Sequence, residues 1–81
     1  MSRACTTILD VKGLRCPLPV LKAHKALSSL AVGDTLEVLT TDESAPKDLR
    51  IYCANSGNQL VECQERNEEG LRFFSVVLRR C

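Results

Sequence analysis

The sequence predicts a two-layer α/β sandwich of order βαβαββ, with two helices on one face of a four-stranded mixed sheet. Three observations predict it. Two segments with helical apolar spacing lie between short runs rich in β-branched and aliphatic residues. Gly33-Asp34 and Gly57 punctuate the chain where those helical segments give way to strands. Two final strand-like runs flank Asn67-Glu68-Glu69-Gly70, which reads as the turn of an antiparallel hairpin.

Each element follows from its residues. Thr6 to Val11 is β-branched and aliphatic up to the Lys12-Gly13 break and reads as the first strand. Pro17 to Leu30 reads as a helix, with Pro19, Val20, Ala23, Leu27 and Leu30 on one face and Lys22, Lys25 and Ser29 on the other. Thr35 to Thr40 is a second strand, in which Leu36 and Val38 alternate with Glu37; as a strand–helix–strand unit it pairs parallel to the first. A second helix starts between Glu43 and Pro46 and ends near Ser56, before Gly57, burying Ala45, Leu49, Tyr52 and Cys53. Asn58 to Arg66 and Leu71 to Arg79 form the hairpin. Neither a repeat nor a linker interrupts this order, so residues 1–81 read as a single domain.

Composition removes whole classes of function. A chain of 81 residues buries only about 60% of its unfolded surface and has no room for a deep catalytic cavity, so chemistry belongs on its surface or in a partner's site. Formal net charge is +1 with the charges scattered, and Tyr52, Phe73 and Phe74 are the only aromatics, which argues against direct nucleic-acid binding. No apolar run approaches the roughly 20 residues of a membrane span. Met1-Ser2-Arg3-Ala4-Cys5 lacks an apolar signal region, so a cytoplasmic location is expected. The five cysteines (Cys5, Cys16, Cys53, Cys63 and Cys81) form no Cys-x-x-Cys pair, and His24 has no nearby cysteine; reduced thiols without a metal are expected.

The chemistry concentrates in Gly13-Leu14-Arg15-Cys16-Pro17-Leu18-Pro19. Proline is tolerated in a first helical turn, where N–H groups have no intrahelical partner. Cys16 therefore falls about at the N-cap, exposed, with the positive end of the helix dipole toward its sulfur. That environment is expected to lower the thiol pKa and favour thiolate. Pro17 and Pro19 fix the backbone around the sulfur and also delete two amide donors. His24, eight residues along the helix and thus about 12 Å away, is out of reach as a general base and reads as a core-edge residue. Leu18, beside the cysteine, and Leu21 fall outside the core-facing sector; with Arg15, Lys22 and Lys25 they suit docking on an acidic partner surface. Cys53 and Cys63 read as core thiols, Cys5 and Cys81 as thiols on the termini.

From Leu9-Asp10 through this motif to Lys22, Gly33-Asp34, Asp42, Asp48 and Cys53, the chain resembles the TusA/SirA-like sulfur-carrier family, whose mark is a Cys-Pro-x-Pro motif. The resemblance spans about residues 8–79 and implies the same fold. It departs where the family often has proline after the position of Asp42, since here Glu43 follows. By resemblance, Cys16 accepts sulfur as a transient persulfide from a cysteine desulfurase and relays it to a downstream acceptor protein, with no other cofactor. End uses implied are tRNA thiolation, molybdenum-cofactor enzyme maturation or related sulfur trafficking. Asp10 and Asp42 match acidic positions near strand ends and are expected to cap helices or brace the Cys16 loop. Two other readings compete. A non-catalytic regulatory or redox-sensing interaction module needs only the exposed thiol; a thiol–disulfide oxidoreductase lacks a resolving cysteine.

Overall fold

The structure, a computed structural model, describes residues 6–81. Its elements are β1 (Thr6–Asp10), α1 (Leu18–Ser28), β2 (Thr35–Thr40), α2 (Ala45–Ser56), β3 (Gln59–Glu68) and β4 (Leu71–Arg79). The sheet runs β1-β2-β4-β3, with β1 parallel to β2 and the other two pairings antiparallel. Both helices cover one face. Ala23 and Leu27 of α1 meet Leu49 and Cys53 of α2 above Leu36 and Val38 of β2 and Val76 and Leu78 of β4. Val20, Leu30 and Tyr52, expected in the core, are only partly buried and pack against its margin.

The element boundaries shift for identifiable reasons. The first helix starts at Leu18, with Pro17 as its N-cap, which leaves Cys16 one residue outside it. It stops at Ser28 rather than Leu30, because Ser29 and Leu30 turn tightly and donate to the Ala26 and Leu27 carbonyls at 3.1 and 3.0 Å. Arg80 then closes that end. Its Nη1 donates to the carbonyls of Leu27 (3.3 Å), Ser28 (3.1 Å) and Leu30, placing a cation where the helix dipole is negative. The second helix ends where expected, with Gly57 left-handed at φ 83°. Strand β3 runs on to Glu68, so the hairpin turn shrinks to Glu69-Gly70; both have positive φ (52° and 80°), the twist that a two-residue turn demands.

Cys63 is not a core thiol. A register shift between Leu60 and Glu62 inserts Val61 as an extra residue, and Cys63 then lies opposite Val76 on the helix side of an edge strand. The edge position leaves it exposed, whereas Cys53 is 4% exposed. Cys5 lies outside the described residues. Cys81 is exposed, and its backbone N–H donates to Asn58 Oδ1 at 3.0 Å.

Candidate functional site

Because β1 and β2 are parallel, the loops that leave them emerge at the same edge of the sheet, the carboxyl edge where open α/β sheets present their sites. The first loop, residues 11–17, starts as an extension of the ladder, with the Val11 N–H on Leu39 O at 2.8 Å. Asp10 turns it: one carboxylate oxygen accepts the Lys12 N–H at 3.0 Å, the other lies 3.6 Å from Lys12 Nζ. Asp10 thus acts at the base of the loop and caps no helix. Gly13 follows with φ 88°, a conformation costly for any residue with a Cβ, and its N–H reaches Thr41 Oγ1 at 2.9 Å. Leu14 N–H bonds back to Val11 O at 3.1 Å, and the chain arrives at an exposed Cys16, whose peptide bond to Pro17 is cis.

The second loop, residues 41–44, is built around Asp42. The buried hydroxyl of Thr40 accepts the Asp42 N–H at 3.1 Å. One Asp42 oxygen accepts both the N–H and the hydroxyl of Ser44, at 3.0 and 2.9 Å. The other accepts the Cys16 N–H at 2.7 Å. One carboxylate therefore fastens the cysteine's backbone to the loop that starts α2. The Ser44 bonds, then the Cys16 N–H and the charge of Arg15, hold the Asp42 carboxyl below its ordinary pKa. A shallow depression lined by Gly13, Leu14, Arg15, Thr41, Asp42 and Glu43 lies between the two loops.

The thiol's electrostatics reverse the expectation from sequence. Cys16 is pushed above the ordinary thiol pKa, first by its hydrogen bond to the Asp48 side chain, then by partial desolvation and by the negative charges of Asp48 and Asp42. The helix N-terminus offers little in opposition. Pro17 and Pro19 have no N–H to give, and that of Leu18 is spent on Arg15 O at 2.8 Å. Asp48, in the first turn of α2, is the residue whose influence on the thiol sequence reasoning did not foresee. The signal available was its place: an acid just after the loop that parallel pairing brings beside Cys16.

The other expected site residues divide. Arg15 lines the depression with Asp42. Lys22 and Lys25 stand apart from it, along an open groove between α1 and β1 with Leu9, Ala26 and Ser29. Leu18 and Leu21 are 43% and 56% exposed, giving α1 an apolar outer surface next to those lysines. His24 is engaged elsewhere, with Nδ1 3.0 Å from the Tyr52 hydroxyl and the rings edge to face. Among the described residues no three His, Cys, Asp or Glu side chains cluster as metal ligands. No described helix is long and apolar enough to cross a membrane.

Comparison with known proteins identifies the chain's relatives and its fold. The sulfur carrier protein TusA of Allochromatium vinosum is 39% identical over 69 residues, covering 85% of this chain and 87% of that protein. TusA of Pseudomonas aeruginosa is 42% identical over 65 residues, covering 80% and 82%. The crystal structure of a SirA-like protein from Desulfitobacterium hafniense superposes with a TM-score of 0.69 over 91% of this chain and 97% of its own, at 23% identity, and so shares the fold. The family model described as sulfurtransferase TusA matches residues 7–80. With nearly its whole length matched, and with Cys16 on the loop between the first strand and the first helix, the chain belongs to the TusA family.

Proposed function

We propose that this protein is a sulfur carrier and that Cys16 bears the sulfur, accepting it from a cysteine desulfurase and handing it to a downstream acceptor protein. The observation that carries the reading is an exposed thiol whose backbone is fixed by the 2.7 Å bond to Asp42, at an edge of the molecule with only an open depression beside it. Such a sulfur can enter another protein's site; it cannot enclose a substrate of its own.

The transfer balances as Cys16–SH plus donor–S–SH giving Cys16–S–SH plus donor–SH. The Cys16 sulfur attacks the outer sulfur of the donor persulfide, a new S–S bond forms, and the donor's own S–S bond breaks with its cysteine leaving as thiolate. The proton lost by Cys16 is taken up by that thiolate, and there is no net redox change. Delivery to the next thiol repeats the exchange in the opposite sense. The exposed Leu18 and Leu21, rimmed by Lys22 and Lys25, supply an apolar contact with cationic edges for an acidic partner surface.

The test is mass spectrometry of the protein after incubation with a cysteine desulfurase and cysteine. One additional sulfur is expected on the Cys16 peptide, and none in Cys16→Ser, which keeps the fold because the side chain is exposed. Labelling of Cys16→Ser at Cys53 or another thiol, or no labelling of the unaltered chain, refutes the assignment.

A further inference from the structure

We infer that the free edge of β1, with the groove that α1 makes beside it, takes an extended acidic segment of a partner protein as an added strand. The inference rests on the reading of this protein as a carrier that docks on larger proteins, and it specifies how a partner is held.

The order β1-β2-β4-β3 leaves two edges, and they differ in kind. Strand β3 is broken by the register shift between Leu60 and Glu62 and carries Glu62, Glu65, Arg66 and Glu68. Bulges and charges are the devices that keep an edge strand from pairing. Thr6, Thr7, Ile8 and Leu9 of β1 carry no charge, and their register with β2 is unbroken. One bond fixes which backbone groups this edge offers. Val11 N–H reaches Leu39 O, so by the alternation of a strand the Leu9 backbone also faces β2, and the N–H and C=O groups of Ile8 and Asp10 face away from the sheet. Leu9 packs toward the core, which sets Ile8, 63% exposed, on the opposite face.

The helix selects the occupant. The groove between α1 and β1 is lined by Leu9, Lys22, Lys25, Ala26 and Ser29: an apolar floor and two cations, with no carboxylate. Among the described residues no ion pair holds either lysine. Asp10, the acid of β1, is matched by Lys12 at 3.6 Å. Lys22 and Lys25 are about 4.5 Å apart in rise along α1, and same-face residues of a strand are about 6.6 Å apart, so successive acids on the helix side of an added strand reach one lysine each. The residues between them lie beside Ile8. The segment that fits therefore alternates acidic with apolar residues, main-chain bonds supplying affinity and side chains the choice of partner. Lys22 lies six residues beyond Cys16, roughly 9 Å along the helix, so a strand seated here holds the partner without covering the sulfur.

The test titrates the isotope-labelled protein with a terminally blocked peptide of alternating valine and glutamate, read on backbone amide signals. The Ile8 and Asp10 amides are expected to shift and to slow in hydrogen exchange, while those of Thr7 and Leu9, which face β2, keep their exchange rates. Binding should weaken as salt rises, and the same peptide with lysine in place of glutamate should not bind. Ile8→Pro deletes an outward N–H where an edge strand tolerates proline, and should abolish the shift at Asp10; Ile8→Ala should retain it. No shift at millimolar peptide, equal binding of the lysine peptide, or undiminished binding by Ile8→Pro overturns the inference. Should Ile8→Pro fail to fold, the titration of the unaltered chain still decides. Protection of Ile8 and Asp10 that grows with protein concentration in the absence of peptide would assign the edge to a second copy of this chain and also overturn it. Sulfur acceptance at Cys16 without peptide docking refutes this inference alone, whereas docking by a protein that accepts no sulfur refutes the carrier reading alone.

Discussion

Asp42→Ala is expected to loosen the Cys16 loop and to destabilise the fold by about 1–2 kcal/mol. The carboxylate accepts three hydrogen bonds, from the Cys16 N–H, the Ser44 N–H and the Ser44 hydroxyl. A bond to a charged group contributes roughly 1.5–3 kcal/mol when shielded from water. These groups are half-buried or exposed, and water replaces the lost acceptor, so each bond is discounted to about 0.5 kcal/mol. For a domain of this size the loss lowers Tm by about 4–8 °C per kcal/mol. The pH dependence carries a definite sign. The folded Asp42 carboxyl lies below its ordinary pKa of 3.8, so its contribution is present above that value and is lost as pH falls through the lower folded pKa. The gap in Tm between the unaltered chain and Asp42→Ala should therefore be constant through neutral pH and close as the solution is acidified below about pH 3.8. The assays are thermal unfolding across that range and hydrogen exchange of the Cys16 amide, which should lose protection in the variant. An unchanged melting curve together with unchanged Cys16 protection would refute the view that this carboxylate builds the loop.

Two further substitutions separate chemistry from scaffold. Cys53→Ala removes a buried sulfur from the core face of α2 and should cost on the order of 1 kcal/mol in denaturant unfolding while leaving sulfur acceptance intact; loss of acceptance at unchanged stability would make Cys53 a relay thiol. Burial, and secondarily the neighbouring Cys81, pushes the Cys53 pKa up, which fits an inert role. Reversing Lys22 and Lys25 to Glu should slow desulfurase-to-carrier transfer up to about tenfold at low salt, because rim charges act on association and are screened as salt rises. Iodoacetamide reactivity of Cys16 should change little in that variant, and a parallel collapse of both rates would show that the lysines act on the thiol itself.

What could be read from the sequence was what local patterning controls. Strands β2 and β4 fall on their expected residues, and the buried Ala45, Leu49 and Cys53 of α2 follow its helical spacing, because each signal is complete within its own segment. Beyond shifts of a residue or two at element ends, the misreadings involve partners distant in sequence. The carbonyls left free where α1 turns off are taken up by Arg80, from the last residues of the chain. The exposure of Cys63 depends on the place of β3 at the edge of the sheet, which is set by its pairing with β4. The state of Cys16 depends on Asp48 and Asp42, and here the failure is instructive. Parallel pairing of the first two strands was expected, and it alone puts the loops after β1 and β2 side by side. What local reasoning could not weigh was a helix dipole against a neighbouring carboxylate. The dipole amounts to about half a charge and acts through free N–H groups. Two of those groups are removed by proline and a third is bonded to Arg15 O, whereas Asp48 brings a full charge and a hydrogen bond to the sulfur. The prolines that start the helix therefore also disarm its N-terminus, and they leave the carboxylates of the neighbouring loop and helix to push the thiol pKa up.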